Sequence, residues 1–203
     1  MSTEGRPSAG RPRGLPYRPD GSRYTWGELL CELGDAQREE IMRRGTAPAF
    51  RDLVGWEYGG ANSIPALRLV GIRKFVKGFY RGPARASGPE PFIQGYNIPV
   101  VTNGDHAPHV FVHGEKSPKR FGFYRVHRPV EGSRDAAYPN GLLLDYSRGG
   151  NGPFGPPLRD YLVQVYPDDP SLLLGKAYVA LLGARVPTSY FVLKRRKPHR
   201  FTG

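Results

Sequence analysis

At 203 residues the chain can bury one sizeable core, or at most two small ones. One cysteine, Cys31, excludes an internal disulfide, and no apolar run approaches the ~20 residues a transmembrane helix needs. The formal charge of +12 is concentrated at the ends: residues 1–23 hold five Arg against two acids and Lys194–Arg200 holds five Lys/Arg, which leaves about +4 for the body.

Gly (27) and Pro (21) are abundant, so turns should be many and long helices few. The opening "MSTEGRPSAGRPRGLPYRPDGSR" is nearly free of apolar residues and reads as a disordered basic leader over 1–23. It lacks the apolar core of a signal peptide and contains no RGG repeat. With the single cysteine, this leads to the expectation of a cytoplasmic protein.

Order is expected from Thr25. Thr25 and Glu28 form a T-x-x-E capping box, and Trp26, Leu29, Leu30 and Leu33 then share a helical face with Cys31 buried among them. Asp35 can cap a second helix, "AQREEIMRR", closed by basic residues and Gly45. Pro65 permits a short helical turn around 65–71.

Strand signals then run almost without break. The predicted strands are 74–81, 92–101, 109–113, 120–129, 141–146, 159–167, 172–182 and 189–195, each rich in Val, Leu, Phe or Tyr and bounded by Gly, Pro, Asn or Asp. In the first, Phe75 and Phe79 are set against Lys74 and Lys77, and Val76 and Tyr80 give the other side some apolar character. The connections are too short for βαβ units, which argues against a parallel sheet. The fold class is therefore mainly β: an antiparallel up-and-down barrel of about eight strands with short N-terminal helices. Its domain spans 24–196, and a basic tail covers 197–203. Closure removes exposed strand edges, and an eight-stranded interior either is filled or holds one small ligand. In the seventh strand Leu173, Gly175, Ala177, Val179 and Leu181 are small and apolar and should meet the core; Leu172, Leu174, Lys176 and Tyr178 oppose them.

Catalytic signatures are sparse. "HAPHVFVH" is the only histidine cluster, and His109 and His113 would lie about 13 Å apart on a strand, too far for one metal. No G-x-S-x-G elbow occurs, and "SRGGNG" opens a Pro-rich loop rather than a helix, unlike a P-loop. No metal or cofactor is implied. The glycines of this loop are expected to supply positive φ, and the long connection could cover a barrel mouth with Arg148 and Asn151 above it. A small, largely apolar ligand would need few polar contacts. The candidates for them are Tyr96, Tyr124, Tyr146, Tyr161 and Tyr178, together with Arg125, Asp145, Arg148, Arg159 and Lys176. An inward Asp145 must pair, most simply with Arg159, Arg125 or Lys176.

The Gly-Trp segment "VGWEYGG" (54–60), the run of antiparallel strands, "LLG" (173–175) and the final "YFVLKR" together resemble the lipocalin-like (calycin) barrels. More narrowly, the layout is similar to the bacterial GXWXG-type proteins of unassigned function. That motif would place glycine at position 54, where this chain has Val54, with Gly55 directly before Trp56. The resemblance implies a barrel with a hydrophobic cavity, not a reaction. Three functions follow: a small-molecule-binding barrel; a cofactor-free cyclase or isomerase using the same cavity; or an adaptor that touches nucleic acid or an acidic partner through its basic tails.

Overall fold

A computed structural model describes residues 14–63, 73–82, 92–149, 151 and 157–203. Helices α1 (Trp26–Cys31), α2 (Asp35–Arg44) and α3 (Phe50–Leu53) precede eight strands: β1 (Trp56–Asn62), β2 (Lys74–Arg81), β3 (Ile93–Pro99), β4 (Phe121–His127), β5 (Leu142–Asp145), β6 (Leu158–Tyr166), β7 (Asp169–Leu181) and β8 (Ala184–Pro198). Each strand pairs antiparallel with the next, and β8 returns to β1, closing the barrel. No edge is left to template aggregation.

The count of eight holds, but its membership differs from the reading of the sequence. Residues 109–113 are not a strand: they make one bridge, Val100 to Phe111, while Val110 and Val112 are about half exposed. The first strand is instead "WEYGGAN", whose Glu, Gly and Asn give little intrinsic strand preference. Tertiary pairing with both β2 and β8 makes it a strand. The turn expected around 65–71 lies outside the described residues.

The helices follow their caps. Thr25 Oγ1 accepts from Glu28 N and the Glu28 carboxylate accepts from Thr25 N, the capping box read from the sequence. In α2 the N-cap is Gly34 rather than the expected Asp35, which is the first helical residue, and the Gly34 N–H is taken by the Gln37 side chain. Cys31 is exposed, not buried with its neighbours, because Leu29, Leu30 and Leu33 turn toward the barrel.

Strand alternation separates two apolar sides. One cluster draws on all eight strands, including Tyr58, Phe75, Phe79, Ile93, Tyr124, Leu144, Leu162, Leu173 and Phe191, which only a barrel interior can do. Leu53 of α3 joins it and closes one end. A second cluster lies outside, where Leu29, Leu30, Ile41 and Met42 of α1 and α2 cover Tyr161, Val163, Leu174, Tyr178 and Tyr190. A third, also outside, joins Val76, Tyr80, Tyr96, Ile98 and Phe111, with Phe201 packed on it. Leu173 and Ala177 face inward as expected, while Leu172, Leu174 and Tyr178 lie under the helices. Each fully buried side chain of this size contributes about 1.5–3 kcal/mol.

Both ends of the described chain pack on the barrel; residues 1–13 of the leader lie outside the described residues. The Tyr17 ring packs against Tyr166 at 5.3 Å, Tyr166 Oη accepts from Tyr24 N at 2.6 Å, and Arg23 pairs with Asp168 at 2.5 Å. Residues 14–23 of the basic leader thus pack on the barrel. In the C-terminal stretch, β8 continues to Pro198 and Phe201 rests on Tyr80 and Tyr96 at 5.0 Å from each ring.

Candidate functional site

The sequence reading set Lys77 against Phe75 and Phe79, but a period of two gives it their parity, and it points into the interior with them. Its ammonium donates to Tyr146 Oη at 2.6 Å, Asp160 Oδ2 at 2.9 Å and Asn97 Oδ1 at 3.0 Å. Tyr146 Oη in turn donates to Asp160 Oδ2 at 2.8 Å, and Asn97 Nδ2 donates to the Gly122 carbonyl at 2.9 Å. All three ammonium donors are therefore used. Around this quartet the rings of Tyr124, Phe75, Tyr146 and Phe191 stand 5.0–5.4 Å from Lys77 Nζ, within cation–π range.

Lys77 is 3% exposed and Asp160 7%. Burial lowers the Lys77 pKa, and the Asp160 carboxylate opposes that shift. Burial, reinforced by the Asp160 charge, pushes the Tyr146 phenol well above its usual value. An amine, a phenol, a carboxylate and an amide thus meet in a buried, aromatic interior, toward the barrel end opposite α3.

Glycines make room for the surrounding rings. Gly95 lies opposite Tyr124 in the β3–β4 register and Gly175 opposite Phe191 in β7–β8. A Cβ on either would fall 2.1 Å from the facing ring. The aromatic rings therefore occupy the space that a side chain at either glycine would need.

Only two of the ten candidate residues, Tyr124 and Tyr146, reach the interior. Tyr96 is on the outer wall, where its hydroxyl donates to Glu57 at 3.1 Å. Tyr161, Tyr178 and Lys176 are outside under the helices. There Glu39 of α2 accepts from Lys176 at 2.7 Å, Tyr138 at 2.7 Å and Tyr190 at 2.8 Å. Burial pushes the Glu39 carboxyl up, but these donors outweigh it and hold its pKa at about 2.

Asp145 is on the outer face near the barrel end. It pairs with Arg159 at 3.1 Å, one of the partners foreseen for it, and also caps the 3-10 turn Tyr146–Arg148 by accepting from Ser147 N at 2.9 Å. Arg148 is exposed beside it at 3.5 Å, and Arg125 lies over the Phe92 ring at 4.4 Å. Asn151 donates to the Phe123 and Tyr146 carbonyls at 2.7 and 2.8 Å, fastening the loop to the rim. Gly149 serves this loop by close approach rather than positive φ: its φ is −95°, and a Cβ would strike the Phe123 carbonyl at 1.7 Å.

The interior polar residues that stand outside the ten candidates are Lys77, Asn97 and Asp160. One signal for Lys77 was present, a lysine interrupting an otherwise aromatic side of β2. Nothing in the local sequence marks Asp160, which is 83 residues away.

Among the described residues no group of three or more His, Cys, Asp and Glu is placed to hold a metal ion, and no helix is long and apolar enough to cross a membrane. Of the basic run at the C-terminus, Arg195 is committed to Tyr58 Oη and the Asp52 carbonyl, and Arg196 and Lys197 both pair with Glu115. No family model matches the chain, and neither a curated protein nor a solved structure matches it. The closed eight-stranded up-and-down barrel is compatible with a lipocalin-like fold and with holding a ligand.

Proposed function

We propose that the protein binds a small, largely apolar molecule inside its barrel, with the ligand's polar group addressed by Lys77, Tyr146, Asn97 and Asp160. The observation that carries this reading is the hydrogen-bonded quartet among aromatic rings, with Lys77 Nζ 2.6–3.0 Å from its three partners. An apolar lining with a few convergent polar groups is the usual character of a small-molecule site. The resemblance of the sequence to lipocalin-like and GXWXG-type barrels supports the same reading. Arg148 and Asn151 lie at the end of the barrel nearer the quartet and belong to the proposed rim.

Native mass spectrometry of freshly purified protein tests this. A bound small molecule is expected in the wild type and lost in the Lys77→Met/Asp160→Asn double variant, which removes both charges together. No bound mass in the wild type, together with a crystal structure whose interior is packed solid, would overturn the reading.

A second reading, a cofactor-free cyclase or isomerase, draws on the direct Tyr146–Asp160 contact of 2.8 Å, a phenol and a carboxylate able to share a proton. Tyr146→Phe should then abolish turnover with a thermal midpoint near normal. Adaptor binding through the basic tails has less support, because three of the five C-terminal cations already have partners within the fold.

A further inference from the structure

A cleft of about 500 Å³ opens on the outer wall of the barrel, away from the interior quartet. Its walls are the start of α1, the loop 105–109, and the outer side of β1 and β8. The volume is in the range that encloses a small organic molecule.

The lining is aromatic and basic. Trp26 is fixed by its indole N–H, which donates to the Val192 carbonyl at 3.1 Å. The His109 ring stands edge-on to it, with centroids 6.3 Å apart and planes at 77°. His109 Nε2 lies 3.0 Å from the Gly60 carbonyl and must donate to it. The two rings form a right-angled corner. Gly59 forms the floor under His109 and Gly27 lies under His106: a Cβ on either glycine would come within 2.9 Å of the imidazole.

The loop wall is built rather than loose. The Lys74 ammonium, 4% exposed, donates to Asn103 Oδ1 at 2.6 Å and to the Ala107 carbonyl at 2.7 Å, so it gathers the loop around itself. Such preorganisation lowers the entropic cost of binding.

The charges in the cleft are unequal. Asp105, the only acid among the described residues of the lining, is neutralised by Arg73. Three cations stand against it: Lys194, Arg195 and Arg196. Arg195 and Arg196 have partners, whereas Lys194 is exposed and makes no ion pair among the described residues. Burial lowers the His109 pKa, with Lys74 and Arg196 adding to the effect against the Gly60 hydrogen bond, so this ring adds no charge near neutrality.

From the ring corner, the glycine floor and the free ammonium together we infer that this cleft is a second ligand site, specific for a planar aromatic anion such as a fused-ring carboxylate. The ring would lie in the Trp26–His109 corner and its acid group would meet Lys194. This site is separate from the interior and does not depend on what the barrel holds.

The probe is 2-naphthoate, titrated into the full-length protein and followed by NMR. The expected result is saturable shifts at the Trp26 indole N–H and at His106 and His109, with weaker binding of octanoate, which lacks the ring, and of 2-naphthylmethylamine, which reverses the charge. Lys194→Glu should weaken naphthoate about tenfold or more at low salt while leaving the thermal midpoint unchanged, because the side chain is exposed. Lys77→Met/Asp160→Asn should leave it unaffected. Affinity unchanged in Lys194→Glu would overturn the assignment. So would equal binding of the amine, or shifts that appear at Tyr124 and Tyr146 instead of Trp26.

Discussion

An ammonium sealed among aromatic rings is tolerable only while its carboxylate is present. Lys77 and Asp160 are both buried and meet at 2.9 Å. Removing one partner strands a charge in low dielectric, which costs about 3–5 kcal/mol, whereas replacing both is often neutral. Lys77→Met should therefore lower stability by about 3–5 kcal/mol in urea denaturation, and adding Asp160→Asn should restore most of that loss. If the double variant were as unstable as the sum of the two single ones, the pair would not be coupled as the geometry requires. Lys77 could in principle be picked out from "KFVKGFYR", because a lysine two residues from each of two phenylalanines shares their side of the strand. Its importance could not, since Asn97, Tyr146 and Asp160 come from three other parts of the chain.

Each strand carries apolar residues on both sides because the barrel is lined within and covered without. β7 illustrates this: Leu173 packs in the interior, and Leu172 and Leu174 pack under the helices. Its Gly175 is as necessary as its leucines, since Phe191 from β8 lies directly over it. Gly175→Ala should destabilise the protein by about 1–3 kcal/mol through overpacking. Adding Phe191→Leu should recover part of this by withdrawing the ring. A Gly175→Ala protein with an unaltered urea midpoint would refute this account of the cross-strand pair. Strand positions were well legible in the sequence where residues are β-branched or aromatic, and β2 spans residues 74–81 as read. Sequence reasoning missed β1 and mistook 109–113 for a strand, because Gly-rich "WEYGGAN" draws its strand character from two flanking neighbours, β2 and β8.

The helices are joined to the barrel by charge as well as by leucines. Glu39 of α2 receives Lys176 of β7 and Tyr190 of β8, a link between the cover and the wall. Its folded pKa of about 2 lies below the ordinary 4.5, so between those values the unfolded chain binds more protons. The stabilisation is therefore complete above pH about 4.5 and is lost as pH falls toward about 2. Glu39→Gln should cost about 2 kcal/mol at neutral pH, the scale of hydrogen bonds to a charged group. The gap between wild type and variant should close as the solution is acidified through that window. A gap that stays constant across pH would show that the Glu39 charge is not the source of the stabilisation.

The sequence alone determined the class of this protein: the capped helices at the front, the mainly β body and the antiparallel up-and-down order. Those follow from local chemistry, from caps and turns and from a period of two, which act over a few residues. Which side of each strand faces inward was decided only by the tertiary structure, because alternation separates two sides without saying which is enclosed. That is why Tyr96, Tyr161, Tyr178 and Lys176 lie on the outer wall while Tyr124 and Tyr146 lie within. The Lys77–Asp160 pair and the Glu39–Lys176 pair join residues 83 and 137 positions apart, and they meet only when β1 closes on β8 and the helices settle over the wall.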